Sequence, residues 1–272
     1  MGSLPDQDNA AYVREVHDKG LAFDLGTMSR RRMLAAVGGV GALTLAGGSL
    51  LGGTAQPAAA ACAAEVESET AGPFPADGSN GPNVRTLSGI VRSDIRPSFG
   101  SSTTVAAGVP LRFSLVVLNL ACAPVAGAAV YVWHCDRAGR YSLYSAGVTN
   151  ENYLRGIQVT DASGTVTFTS IFPACYSGRW PHIHFEVYSS LAAATSSTGL
   201  IRKTSQIALP EAVADEVYAN ATGYSQSVVN MSNITLASDM VFGDDLAARE
   251  MATVTGSVSG GYVATLTVTV NV

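Results

Sequence analysis

From about residue 110 onward, short segments rich in Val, Leu, Phe and Thr alternate with clusters of Gly, Pro, Asp, Asn and Ser. Residues 111–120, 128–133, 164–172 and 183–187 read as strands, and turn residues at near-regular spacing predict an all-β fold. That fold is a β-sandwich of mostly antiparallel strands with one or two short helices. Asp161-Ala162-Ser163-Gly164 lies between two alternating segments and predicts a hairpin turn. The tail over 253–272 alternates Val with Thr around Gly260-Gly261, which predicts a closing hairpin. The one helical pattern is 210–220, with Pro210 in the first turn, Glu211 after it, and Ala212, Val213, Val217 and Tyr218 as the apolar stripe. Residues 76–82 are Gly, Ser, Asn and Pro rich and read as a loop.

The first part of the chain has a different pattern. Residues 1–28 are polar and of mixed charge; Ser29-Arg30-Arg31-Arg32-Met33-Leu34 then opens an apolar stretch to about residue 53, followed by an Ala-rich run to Ala61. Paired arginines, a mildly apolar stretch and small residues at its end are the parts of a twin-arginine export leader. A membrane anchor is the other use of such a length, but Gly and Ala make this one only weakly hydrophobic. The expected division is a leader over 1–61 and a sandwich domain over 62–272, exported to the cell envelope or beyond. Cys62 follows three alanines and is open to lipid attachment, although Ala59 stands where a leucine would strengthen that reading. Four cysteines (Cys62, Cys122, Cys135, Cys175) suit an oxidising exterior with one or two disulfides, and all three full pairings are open.

With 272 residues, 47% of them hydrophobic, the chain can bury a substantial core. A net charge of −5 without a basic stripe argues against a nucleic-acid partner, and nothing beyond the leader calls for a membrane.

Of the 4 histidines, two fall in His182-Ile183-His184, followed by Phe185 and Val187. Alternate side chains of a strand share a face, so these imidazoles can hold one metal. Tyr176 and Arg179 lie just upstream, and Tyr141 follows the strand ending at Trp133. Neutral imidazoles suit zinc, copper or iron, whereas phenolate oxygens favour a hard trivalent cation, so two tyrosines joined to two histidines would select ferric iron. Each tyrosine taken singly also reads as strand-end packing.

These residues together resemble the intradiol ring-cleavage dioxygenases, the catechol and protocatechuate dioxygenase family that uses non-haem ferric iron. The resemblance covers roughly residues 70–206. It runs through Val132-Trp133 to Gly139-Arg140-Tyr141-Ser142, then Arg155-Gly156 to Thr160-Asp161-Ala162-Ser163-Gly164, Pro173 to Tyr176, and Arg179 to Phe185. It implies Fe(3+) held by Tyr141, Tyr176, His182 and His184 with a water or hydroxide. It also implies a chelated aromatic diol that displaces Tyr176, and cleavage by O2 between the hydroxyl-bearing carbons to a cis,cis-muconate-type diacid. Tyr176 would accept a diol proton, and Arg179 would stabilise charge on the ring. Gln206 would also act beside the substrate, with Pro73 and Phe74 at the pocket mouth. A homodimer is compatible with this reading. The inserted loop over 189–199 and the short Tyr176 to Arg179 segment depart from catechol dioxygenases, which leaves the preferred catechol open. A secreted binding module, or a zinc or copper metalloenzyme using the same strand, is the alternative; it predicts a colourless protein.

Overall fold

The computed structural model describes residues 64–272; the leader expected over 1–61, its boundary and Cys62 lie outside them. Eight strands follow one another as β1 (Pro110–Leu118), β2 (Ala129–Trp133), β3 (Arg155–Val159), β4 (Thr165–Ile171), β5 (His182–Tyr188), β6 (Ile201–Ala208), β7 (Thr253–Ser257) and β8 (Gly261–Thr269). They form two four-stranded sheets, ordered β4-β1-β8-β7 and β3-β2-β5-β6. All pairs are antiparallel except β1 with β8. The expected all-β sandwich is therefore present.

The first sheet shows why alternation makes a sandwich. Leu111, Phe113, Leu115 and Val117 of β1 point to one face and are buried, as are Tyr262, Ala264, Leu266 and Val268 of β8, while the residues between them are mostly exposed. Burying each such Val, Leu or Phe stabilises the fold by about 1.5–3 kcal/mol. The second sheet is covered on both faces, since every residue of β2 and β5 is buried. Ile183, Phe185 and Val187 join Val130 and Val132 in the core shared with the first sheet. The intervening residues of β5, His182, His184, Glu186 and Tyr188, are therefore buried on the opposite face.

At Asp161 to Gly164 the structure corrects the hairpin expectation. The turn exists, with Asp161 N donating to Thr165 O at 3.0 Å and Gly164 N to Asp161 O at 2.9 Å. Its strands, however, go to different sheets: β3 pairs with β2, and β4 pairs with β1. Gly164 has φ of +75°, and a Cβ there would meet Val117 O at 2.5 Å, so the turn packs directly against β1. The closing hairpin β7–β8 is present as expected.

Three short helices are α1 (Leu191–Ala194), α2 (Glu211–Asn220) and α3 (Ser225–Met231). In α2, Pro210 is the N-cap rather than a first-turn residue. Its buried stripe is Ala214, Val217 and Tyr218, with Ala212 exposed. Helix α1 lies within the inserted 189–199 loop, and α3 was not anticipated. Cys135 and Cys175 are buried free thiols, so the full pairings of four cysteines do not occur; Cys122 is disulfide-bonded. The two free thiols face backbone carbonyls, Ala174 O at 3.5 Å and Arg179 O at 3.4 Å. Among the described residues, no helix is long and apolar enough to cross a membrane.

Candidate metal centre and active site

Four side chains from three parts of the chain meet on the outer face of β5. His182 and His184 stand on alternate positions of the strand, with their Nε2 atoms 3.1 Å apart. Tyr141 reaches them from the turn after β2. Asp136 builds that turn, its Oδ1 accepting from the backbone N–H of Ala138 and Arg140. Gly139, at φ of +81°, lets the turn pass Tyr176, whose Cβ would lie 3.1 Å from any Cβ at position 139. Tyr176 comes from the turn before β5, where Arg179 N donates to Tyr176 O at 3.2 Å. The hydroxyls of Tyr141 and Tyr176 lie 3.4 and 3.3 Å from His182 Nε2. Both tyrosines and both histidines are buried.

Hydrogen bonding alone accounts poorly for this cluster. His182 Nδ1 lies 2.5 Å from Trp180 O and must donate to it, which leaves Nε2 with one lone pair. Three groups then crowd that lone pair at 3.1–3.4 Å, and the two tyrosine hydroxyls stand farther off than a good hydrogen bond. Ligand atoms about 2.0–2.1 Å from one ion stand roughly 2.9–3.4 Å apart, which is the spacing seen. The cluster thus fits a cation. Burial, with the Arg179 charge adding to it, holds both imidazoles well below the usual histidine range, so they are neutral donors. Burial pushes the Tyr176 phenol up to about 12 and Tyr141 well above its ordinary value, so neither ionises at neutral pH without a cation beside it. Among the described residues no group of three His, Cys, Asp or Glu side chains could hold a metal, so a metal at this cluster would need the tyrosine oxygens as well as the two imidazoles.

The surrounding residues fix the donors. Trp133 stacks on His184 with centroids 4.9 Å apart and an interplanar angle of 3°. Phe74 stacks on Tyr141 at 4.7 Å. Gly72, at φ of +67°, sits where a Cβ would touch His184 Cε1 at 3.3 Å. Pro73, between them, is only partly buried, and its carbonyl accepts from Asn80 Nδ2. Register places Arg155, Trp133, His184 and Gln206 in one row across the second sheet. The Arg155 guanidinium donates to Phe74 O at 2.9 Å, Pro75 O at 3.1 Å and Ser142 O at 2.9 Å. It thereby ties the segment bearing Phe74 to the turn bearing Tyr141.

Arg179 is buried beside the cluster. Its Nη2 donates to Gln206 Oε1 at 2.6 Å and its Nε to Asp239 Oδ2 at 3.0 Å. Gln206 Nε2 in turn donates to Thr70 O at 3.0 Å. Burial opposes the Arg179 charge, but the oxygens of Tyr176 and Asp239 outweigh it and hold the guanidinium above the ordinary arginine value. The structure thus brings together Tyr141, Tyr176, His182, His184, Arg179, Gln206 and Phe74. Asp239, Arg155 and Trp133 are site neighbours whose parts sequence reasoning missed. Arg155 and Trp133 carried a signal, since each stands in a motif already singled out; Asp239, 60 residues from Arg179, carried none.

Residues 81–198 match the family model described as Dioxygenase, a stretch that contains Tyr141, Tyr176, Arg179, His182 and His184 but neither Phe74, Gln206 nor Asp239. Over 69 residues the chain is 35% identical to a chlorocatechol 1,2-dioxygenase of Rhodococcus opacus, covering 25% of this chain and 27% of that relative's length. Among solved structures, it is similar to an intradiol ring-cleavage dioxygenase from Tetranychus urticae, with TM-score 0.58 and 24% identity. That match covers 77% of this chain and 95% of the other. The fold is accordingly that of an intradiol dioxygenase β-sandwich. Within it, residues 81–198 are the stretch that matches the dioxygenase family model.

Proposed function

We propose that the protein is an Fe(III)-dependent intradiol dioxygenase that cleaves a catechol-type 1,2-diol between its hydroxyl-bearing carbons. One diol and one O2 give one cis,cis-muconate-type diacid, with both oxygen atoms retained. The observation that carries this reading is the meeting of two phenols and the His184 imidazole at 3.1–3.4 Å from His182 Nε2, inside a stretch that matches a dioxygenase family. The same match favours this reading over a binding module or a zinc or copper enzyme.

Tyr141, Tyr176, His182 and His184 would hold the iron. When bound, ferric iron supplies the Lewis acidity that makes the phenols phenolates and readies a chelated diol for dioxygen. The chain's own residues do the rest. Tyr176 Oη, once a phenolate, is the base that takes a proton from an arriving diol hydroxyl. Arg179 holds a fixed positive charge beside the ring, where negative charge grows during attack. Phe74 on Tyr141 and Trp133 on His184 keep the donors dry and in place. Pro73, next to Phe74, belongs to the mouth of the diol pocket, and Gln206 acts there through its bond to Arg179.

Arg30-Arg31 and the mildly apolar stretch after them support export, and an exported enzyme of this kind would meet plant-derived or lignin-derived catechols. The test is oxygen uptake by the iron-loaded protein with catechol, protocatechuate, hydroxyquinol and caffeate, and product mass under labelled O2. One O2 consumed per diol, with both labelled atoms in the diacid, is expected. No uptake with any of the four, or an extradiol product, refutes the proposal.

A further inference from the structure

Asp239 comes from a segment far along the chain and outside the matched stretch, yet it is bound to the centre on two sides. Its side chain is fully buried and forms an ion pair with Arg179 at 3.0 Å. Oδ2 accepts from Arg179 Nε at 3.0 Å and from the backbone N–H of Trp180 at 2.6 Å. Oδ1 accepts from the N–H of Val241 and Phe242 at 2.8 and 3.0 Å, which locks the carboxylate's own orientation. Trp180 then accepts from His182 Nδ1 through its carbonyl, and Phe242 lies under the Arg179 guanidinium at 5.8 Å. With four donors on one buried carboxylate, Asp239 has no freedom to serve as a proton carrier. What it can do is aim.

We infer that Asp239 is a positioning residue for the proposed reaction: it aims the Arg179 guanidinium at the diol. A buried guanidinium with its Nε held by a fixed carboxylate and its Nη2 by Gln206 has one orientation left. Removing the carboxylate charge would let it swing while leaving the rest of the pocket packed. The inference rests on the dioxygenase reading.

The test is a double-mutant cycle of Asp239→Asn, Arg179→Ala and the pair. Two readouts are used: turnover of catechol, and anaerobic binding of 4-nitrocatechol followed by the visible band of the bound, deprotonated ligand. Asp239→Asn is expected to lower kcat by about 10- to 100-fold with a smaller change in KM, and to weaken deprotonation of bound 4-nitrocatechol. In the Arg179→Ala background the same change should cost less than about 3-fold, because Asp239 acts through Arg179. Thermal melts and iron content of each variant separate a folding defect, which would lower both backgrounds alike. Equal, additive losses in the two backgrounds, or 4-nitrocatechol bound by Asp239→Asn as by the natural protein while Arg179→Ala fails, overturn the positioning role alone. A natural protein that neither binds 4-nitrocatechol nor consumes oxygen overturns the dioxygenase reading, and this inference with it.

Discussion

A Cβ at position 139 would lie 3.1 Å from the Cβ of Tyr176, on a backbone already at φ of +81°. Gly139→Ala therefore adds left-handed strain and pushes on Tyr176, a proposed iron donor; we expect a loss of about 1–3 kcal/mol in chemical unfolding and weaker iron retention. Unchanged stability and iron content would show that the approach of these two turns is slack. The tyrosines differ from each other in what their loss should do. Tyr141 lies under Phe74 and is the more buried of the two, 1% exposed against 8% for Tyr176. Tyr141→Phe should remove its share of the charge-transfer colour, shifting the band, and should lower turnover with it. Tyr176→Phe should retain some iron through the other three donors but lose turnover, because the base for the diol proton is gone. Full activity in Tyr176→Phe, measured by oxygen uptake, would assign that proton elsewhere.

At the scale of elements, β5 carries the fold on one face and the chemistry on the other. Phe185 is buried in the shared core, so Phe185→Ala should cost about 3–5 kcal/mol in thermal or urea unfolding. His184→Ala should leave a folded protein that no longer binds iron; the opposite pattern would mean that the faces are misassigned. This division was legible in the sequence, because His182, His184 and Phe185, Val187 alternate and alternation fixes faces. Other elements were not legible. The turn at Asp161 to Gly164 has the local chemistry of a hairpin, and only the pairing of β4 with β1 reveals that it crosses between sheets. Helix α3 has a Tyr224 N-cap without a side-chain cap bond, and Ser, Gln and Asn among its residues, so no start signal or apolar period marked it. Asp239 is recognised only by what it touches after folding.

At the scale of the molecule, buried carboxyls set how stability depends on pH. Burial, joined by the Glu250 and Asp244 charges, pushes Glu69 up to about 8, while burial against opposing hydrogen bonds pushes Glu186 and Glu250 up to about 7. A carboxyl raised in the folded state stabilises it while protonated, so this contribution is complete below the ordinary value of 4.5 and is lost as pH rises through 7 to 8. The buried histidines act in the other direction, since their lowered values withdraw stability only as pH falls below the ordinary 6.5. Stability should therefore fall between pH 6.5 and 8.5, and Glu250→Gln should flatten that fall by roughly 1 kcal/mol or less. A melting temperature that rises over this interval, or a slope unaltered by Glu250→Gln, would contradict the assignment. The central claim is the convergence of Tyr141, Tyr176, His182 and His184 on one ferric ion, and its most direct test is the visible spectrum of the iron-loaded protein with and without anaerobic catechol. A red-brown tyrosinate band that weakens and shifts in Tyr141→Phe and shifts when catechol binds is the expected result. A protein that holds one iron per chain yet stays colourless, or whose band ignores both the mutation and the catechol, would contradict it.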